Sequence, residues 1–182
     1  MSRLIIVSNR VSVPDHKGAA AAGGLAVALQ AALAERGGIW MGWSGKSSGD
    51  VEPEPLQMTK DGNITYALTD LTQTDVEEYY QGFANRVLWP ICHYRLDLAE
   101  YARKEMTGYF RVNRFFAHRL APLIEPDDII WVHDYHLIPL AAELRQMGLK
   151  NRIGFFLHIP WPPADVVLAM PVHEEIMRGL SS

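Results

Sequence analysis

The stretch Ile129-Ile130-Trp131-Val132-His133-Asp134-Tyr135-His136 runs from four apolar residues straight into four that carry polar or titratable groups. A short continuous apolar run bounded by turn residues reads as a strand buried on both faces. The same reading applies at residues 4–7, 39–43, 64–68 and 153–157. Between these runs lie apolar residues at helical spacing: Leu25, Leu29, Ala32 and Leu33 before Gly37-Gly38; Tyr109 to Leu123 with Phe110, Phe115, Phe116 and Leu120; Leu140, Ala141 and Leu144 before Gly148. Glycine is a common helix stop. Strands alternating with helices need crossover connections, so the expected class is α/β, doubly wound, with a mainly parallel sheet.

Local signals refine this outline. Thr74-x-x-Glu77 reads as a capping box for a helix through Tyr79 and Tyr80, with Pro90 ending the pattern. Residues 44–55 read as an exposed loop, residues 11–22 as a second, mobile one, and residues 173–180 as a final helix, after which the chain looks cut rather than finished.

Composition excludes several classes. The chain has 182 residues, 48% of them hydrophobic, with five Trp, seven Tyr and six Phe, enough apolar surface to offset the entropy of ordering one domain. A net charge of −4 offers no attraction to a polyanion, so nucleic acid is not an expected partner. No run approaches the roughly 18 apolar residues of a membrane span. The lone Cys92 cannot form an internal disulfide, and the N-terminus lacks a secretory pattern, so the expected compartment is the cytoplasm.

In an open parallel sheet, ligands bind beyond the carboxyl ends of the strands. Three apolar runs deliver polar residues there: Ser8-Asn9-Arg10, His133-Asp134-Tyr135-His136, and His158. Their convergence marks one expected crevice, although each alone could be an ordinary cap or turn residue. The planar fork of Arg10 suits a phosphate, or equally an ion pair with Asp15. Gly23-Gly24 precedes a helix start, where free N–H groups and the positive dipole end favour an anion, or it is a plain loop pair. It matches neither G-x-G-x-x-G nor the P-loop. His133-x-x-His136 with His158 contains metal-ligand types, but no cysteine cluster or H-E-x-x-H accompanies it, and no metal is expected. No G-x-S-x-G elbow supports a Ser8 triad. Trp89 and Tyr80 could be ordinary core aromatics.

The segments Val7-Ser8-Asn9-Arg10, Ala22-Gly23-Gly24-Leu25, Trp43-Ser44-Gly45, Glu78-Tyr79-Tyr80, Val87-Leu88-Trp89-Pro90, His93-Tyr94-Arg95, Trp131 to Leu137 and Gly154 to Pro160 resemble the N-terminal part of glycosyltransferase family 20, the family of UDP-forming trehalose-6-phosphate synthases. The resemblance runs from Ser2 to at least Pro163. It implies the GT-B arrangement of two Rossmann-like domains, with residues 1–182 as the acceptor-binding one, truncated, and the donor-binding domain absent.

That resemblance implies roles. Arg10 and Tyr80 would hold the phosphate of glucose 6-phosphate, Trp89 would pack on its sugar ring, and Asp134 would accept a hydrogen bond from an acceptor hydroxyl. Gly23 and Gly24 would approach the UDP-glucose donor, His158 would hydrogen-bond the donor glucose, and His133 would support it. Asp134 and His158 are thus the expected catalytic residues. The implied reaction is retaining transfer of glucose from UDP-glucose to glucose 6-phosphate, without protein nucleophile, metal or cofactor, and with the isolated chain inactive. A non-catalytic sugar-phosphate-binding module, or a synthase with another acceptor, are the competing readings, and homo-oligomer formation is left open.

Overall fold

The computed structural model describes residues 2–11, 13 and 24–182. The apolar runs pair into one sheet of six strands: β1 (Leu4–Arg10), β2 (Gly38–Ser47), β3 (Gln57–Asp61), β4 (Ile64–Leu71), β5 (Ile129–His133) and β6 (Arg152–Phe156). Their order is β3-β4-β2-β1-β5-β6. Every pairing is parallel except β3 with β4. β3 was not expected from the sequence: all five of its residues are exposed, so no apolar run marks it, and it forms as the return arm of a hairpin turning at Gly62 (φ 57°).

Successive side chains point to opposite faces, and the strands supply two cores. Ile5, Val7, Ile39, Met41, Ile130 and Val132 face one core, while Leu4, Ile6, Trp40 and Tyr66 face the other. The second face is covered by α1 (Gly24–Arg36), which buries Leu29 and Leu33 there. The first is covered by a helical segment, 73–92, by α2 (Arg103–Leu120), and by α3 (Leu140–Gln146), α4 (Ala164–Leu168) and α5 (His173–Leu180). Covering both faces explains why the inner strands read as continuous apolar runs; the run at 153–157 departs from that reading, since β6 lies at the sheet edge and none of its residues is buried.

The segment 73–92 departs from its sequence reading in two ways. Its cap is Thr72, whose Oγ1 accepts from the Asp75 N–H at 3.0 Å, two residues before the expected box. Pro90 does not end it. Wide π-helical turns over Val76–Leu88 give way to a last turn, Trp89–Cys92, where Pro90 occupies one of the opening positions that need no intrahelical N–H. The loop expected over residues 44–55 is shortened because β2 runs on to Ser47. Most of the other expected loop, 11–22, lies outside the described residues. No described helix is long and apolar enough to cross a membrane.

Two histidines are built into this interior as neutral groups. His136 and His133 are 7% and 1% exposed. Burial lowers His136 from 6.5 to about 3, and burial followed by the neighbouring His158 lowers His133 to about 4.

Packing makes a first prediction. Phe83 is fully buried and packs on Tyr109 at 4.8 Å, whereas Phe156 is 49% exposed on the edge strand. Phe83→Ala should destabilise the chain by about 3–5 kcal/mol in urea unfolding, and Phe156→Ala by less than about 1 kcal/mol. The histidines make a second. The unfolded chain binds more protons than the folded one between about pH 6.5 and pH 3–4, so stability is fully present above pH 6.5 and falls as pH drops through that window. Each histidine contributes on the order of 3–5 kcal/mol of that loss. His136→Phe should flatten the decline, as read by denaturation midpoints across pH 7.5 to 4.5; an unchanged slope would refute a neutral buried His136.

Candidate functional site

β1 and β5 lie side by side in parallel, Leu4 against Ile129 through Val7 against Val132. From this pair the chain works outward in opposite directions, through β2 and β4 on one side and β6 on the other. The connections leaving the two carboxyl ends therefore diverge at this switch point, the place where open parallel sheets bind ligands.

The β5 side of the crevice is a tight turn. Asp134 has φ 75° and ψ 166°, a conformation that costs a non-glycine residue about 1–3 kcal/mol. Its carboxylate helps to hold that turn: Oδ1 accepts from the N–H of Tyr135 at 3.0 Å and from the N–H of His158 at 3.3 Å. The Asp134 N–H in turn donates to the Phe156 carbonyl at 2.8 Å. Asp134 thereby ties the ends of β5 and β6 together. His158, exposed beyond β6, stacks on His133 with ring centroids 5.3 Å apart, and His133 Nδ1 lies 3.0 Å from His158 Nε2. Thus Asp134, His158 and His133 meet as expected.

On the β1 side, Arg10 is exposed at the strand end and its guanidinium lies 5.8 Å from the Trp43 ring centroid. It also covers Gly45: a Cβ there would sit 2.5 Å from Nη2 and 2.6 Å from Nε. Gly45 (φ 86°) supplies both the space and the turn. Trp43 contacts Tyr80 at 5.5 Å, Tyr80 stacks on His136 at 5.8 Å, and His136 stacks on Tyr135 at 3.9 Å. This aromatic relay connects Arg10 to the residue next to Asp134.

The helical segment 73–92 reaches the same place. It kinks at Gly82, where the Glu105 side chain approaches to 2.8 Å of a built Cβ, and beyond the kink Asn85 Oδ1 accepts from the Tyr135 hydroxyl at 3.0 Å. Burial and then the Asp134 carboxylate push the Cys92 thiol up to about 12. Trp89 lies between Asn85 and Cys92 at helical spacing, 42% exposed, with its ring 3.9 Å from that of His93. An aromatic left open at such a place can cover the apolar face of a sugar.

Of the remaining candidates, Gly23 lies outside the described residues and Gly24 opens α1. Asp15, the alternative partner for Arg10, is also outside them. His136 parts from His133 and His158: it faces Tyr80 and Tyr135, and among the described residues no group of three His, Cys, Asp or Glu side chains could hold a metal ion. The sequence reading missed Trp43 and Asn85 as members of the cluster. Trp43 was within reach of the strand-end argument, since it occupies the carboxyl half of β2; nothing local distinguishes Asn85.

The fold has counterparts in solved structures. An Escherichia coli structure bound with UDP-2-fluoro glucose superposes with a TM-score of 0.90 at 49% identity, covering 98% of this chain and 38% of that one. A UDP-forming α,α-trehalose-phosphate synthase from Burkholderia xenovorans in complex with glucose-6-phosphate does so at 0.87 and 50%, covering 98% and 38%. The trehalose-6-phosphate synthase of Sinorhizobium fredii is 83% identical over all 182 residues, which are 39% of its length. This chain therefore spans under two-fifths of such relatives. The model of glycosyltransferase family 20 matches residues 2–182, and the chain belongs to that family.

Proposed function

We propose that these 182 residues are the acceptor-binding domain of a retaining glucosyltransferase that makes α,α-trehalose 6-phosphate from UDP-glucose and glucose 6-phosphate. The observation that carries this reading is the continuous wall from Arg10 through Trp43, Tyr80 and Tyr135 to Asp134 and His158, at the switch point of the sheet. Arg10 and Tyr80 hold the acceptor phosphate, Trp89 covers its hexose ring, and Asp134 receives a hydrogen bond from an acceptor hydroxyl. Among the described residues only Oδ1 of Asp134 is committed to backbone N–H groups, which leaves Oδ2 for that task. His158 faces the donor glucose, supported by His133, and Gly23 and Gly24 approach the donor. The complexes of relatives with a UDP-glucose analogue and with glucose-6-phosphate support the choice of substrates.

The chemistry follows from positioning. The bond from glucosyl C1 to the UDP oxygen breaks while the anomeric hydroxyl oxygen of glucose 6-phosphate bonds to C1 on the same face. The acceptor proton passes to the leaving diphosphate. Such a site needs two substrates held in contact and charge stabilised on the leaving group, more than it needs a protein nucleophile. The groups that neutralise the diphosphate come from beyond these residues, so the chain alone gives no turnover. The cytoplasm suits this reading, since Cys92 is a free, buried thiol.

The test is to join residues 1–182 to the remainder of the Sinorhizobium fredii relative. The joined protein should form UDP and trehalose 6-phosphate; a folded protein that binds glucose 6-phosphate without transfer would establish a binding module instead. In the joined protein, Arg10→Ala should raise the glucose 6-phosphate requirement roughly 10- to 100-fold, equivalent to about 1.5–3 kcal/mol for a lost charged contact. Gly45→Ala, which displaces the guanidinium, should move the same parameter in the same direction. Gly49→Ala, also at positive φ but facing open space, should cost stability alone.

A further inference from the structure

We infer that His133 is a positioning residue that sets the tautomer of His158, so that His158 presents Nδ1–H as a hydrogen-bond donor to a ligand oxygen. Between His133 Nδ1 and His158 Nε2, 3.0 Å apart, one proton is shared. Two neutral arrangements satisfy that contact, and they differ in what they leave at the far side of His133. If His158 donates, the His133 proton sits on Nε2, which is buried and has no hydrogen-bond partner among the described residues. If His133 donates from Nδ1, the buried Nε2 is a bare acceptor. Orphaned buried N–H groups are the rarer of the two in folded proteins, and an imidazole tautomer follows the hydrogen bond made by the other nitrogen. The second arrangement is therefore the stable one. His158 then accepts on Nε2 and carries its own proton on Nδ1.

The packing keeps this choice in place. His133 is 1% exposed, at ring distances of 4.5 Å from Trp131 and 6.3 Å from Phe156, and burial disfavours its cationic form. His158 is anchored through its backbone, whose N–H donates to Asp134 Oδ1, and its ring is 4.6 Å from Phe156. Burial thus fixes the His133 ring, and the exposed His158 ring is held against it by the shared proton and by its contacts with His133 and Phe156. The consequence is a directional one. His158 acts as an Nδ1–H donor toward a hydroxyl or phosphate oxygen and does not serve as the proton acceptor of the transfer step. This deepens the donor-side role of His158 and rests on the function proposed above for what that oxygen belongs to.

Nitrogen-15 correlation of the imidazole side chains in the 182-residue chain at pH 8 tests it without turnover. The expected pattern for His158 is a protonated Nδ1 and an unprotonated Nε2, opposite to the Nε2–H form that free histidine prefers in water. His133→Phe, which keeps an aromatic ring in the buried position, should return His158 to Nε2–H. An Nε2–H signal for His158 in the parent chain overturns the inference, and so does Nδ1–H persisting in the variant. A purely structural His133 would move neither signal. In the joined protein, the same variant should lower kcat/KM for UDP-glucose at least tenfold and leave the KM for glucose 6-phosphate within about twofold. If the nitrogen pattern holds and no glucosyl transfer occurs, the functional reading fails and the tautomer assignment stands.

Discussion

The arrangement depends on one turn, the left-handed step at Asp134 where β5 ends. Its φ of 75° is unfavourable for any residue with a side chain, and the surrounding contacts over-determine it. The Asp134 carboxylate accepts from the N–H groups of Tyr135 and His158. From below, the buried Tyr109 hydroxyl donates to the Tyr135 carbonyl at 2.7 Å, and the buried Asn113 amide donates to the His136 carbonyl at 3.0 Å. Both come from α2, so the helix that packs the core also holds the turn. Released from these bonds, the chain would relax, and Asp134, Tyr135 and His136 would each face elsewhere.

The same device recurs on the other side of the crevice. Tyr79 is fully buried beside Tyr109, yet its hydroxyl reaches Asn9 Oδ1 at 2.7 Å, next to Arg10. A tyrosine supplies a large apolar body for the core and one polar atom at its tip. Here the tips are spent on the strand ends, and burial pushes the Tyr79 and Tyr109 hydroxyls well above their ordinary range, which keeps them as donors. Core packing and site geometry are thus one network, and substitutions that loosen the helices act on the crevice too.

Two buried imidazoles make this network costly at low pH and useful at neutral pH. Each is a polar group in a place where a phenyl ring would pack, and burial holds each in its uncharged form. His136 spends that cost as a link in the aromatic relay between Tyr80 and Tyr135, and His133 as the partner of His158. For a transfer that works by holding two substrates together, rigid neutral surroundings that do not exchange protons with the ligand suit the chemistry proposed here.

Much of this was legible from order alone. Residues buried on both faces leave uninterrupted apolar runs, so β1, β2, β4 and β5 and the parallel class follow from local composition, whereas the run at 153–157 marks a strand, β6, that lies at the edge with no buried residue. The polar residues after three of the runs mark the carboxyl ends of β1, β5 and β6. β3 left no trace because its exposed side chains carry no burial pattern, and the cap lies at Thr72 rather than Thr74 because it is the Thr72 hydroxyl that accepts from a free N–H of the first turn, at Asp75. Only the tertiary structure decided which side chains meet. That Arg10 lies on Trp43 and Gly45, that His136 turns from the histidine pair to Tyr80, and that Asn85 reaches Tyr135 are contacts between residues dozens of positions apart. Such contacts are set by sheet order and helix kinks, which no local spacing encodes.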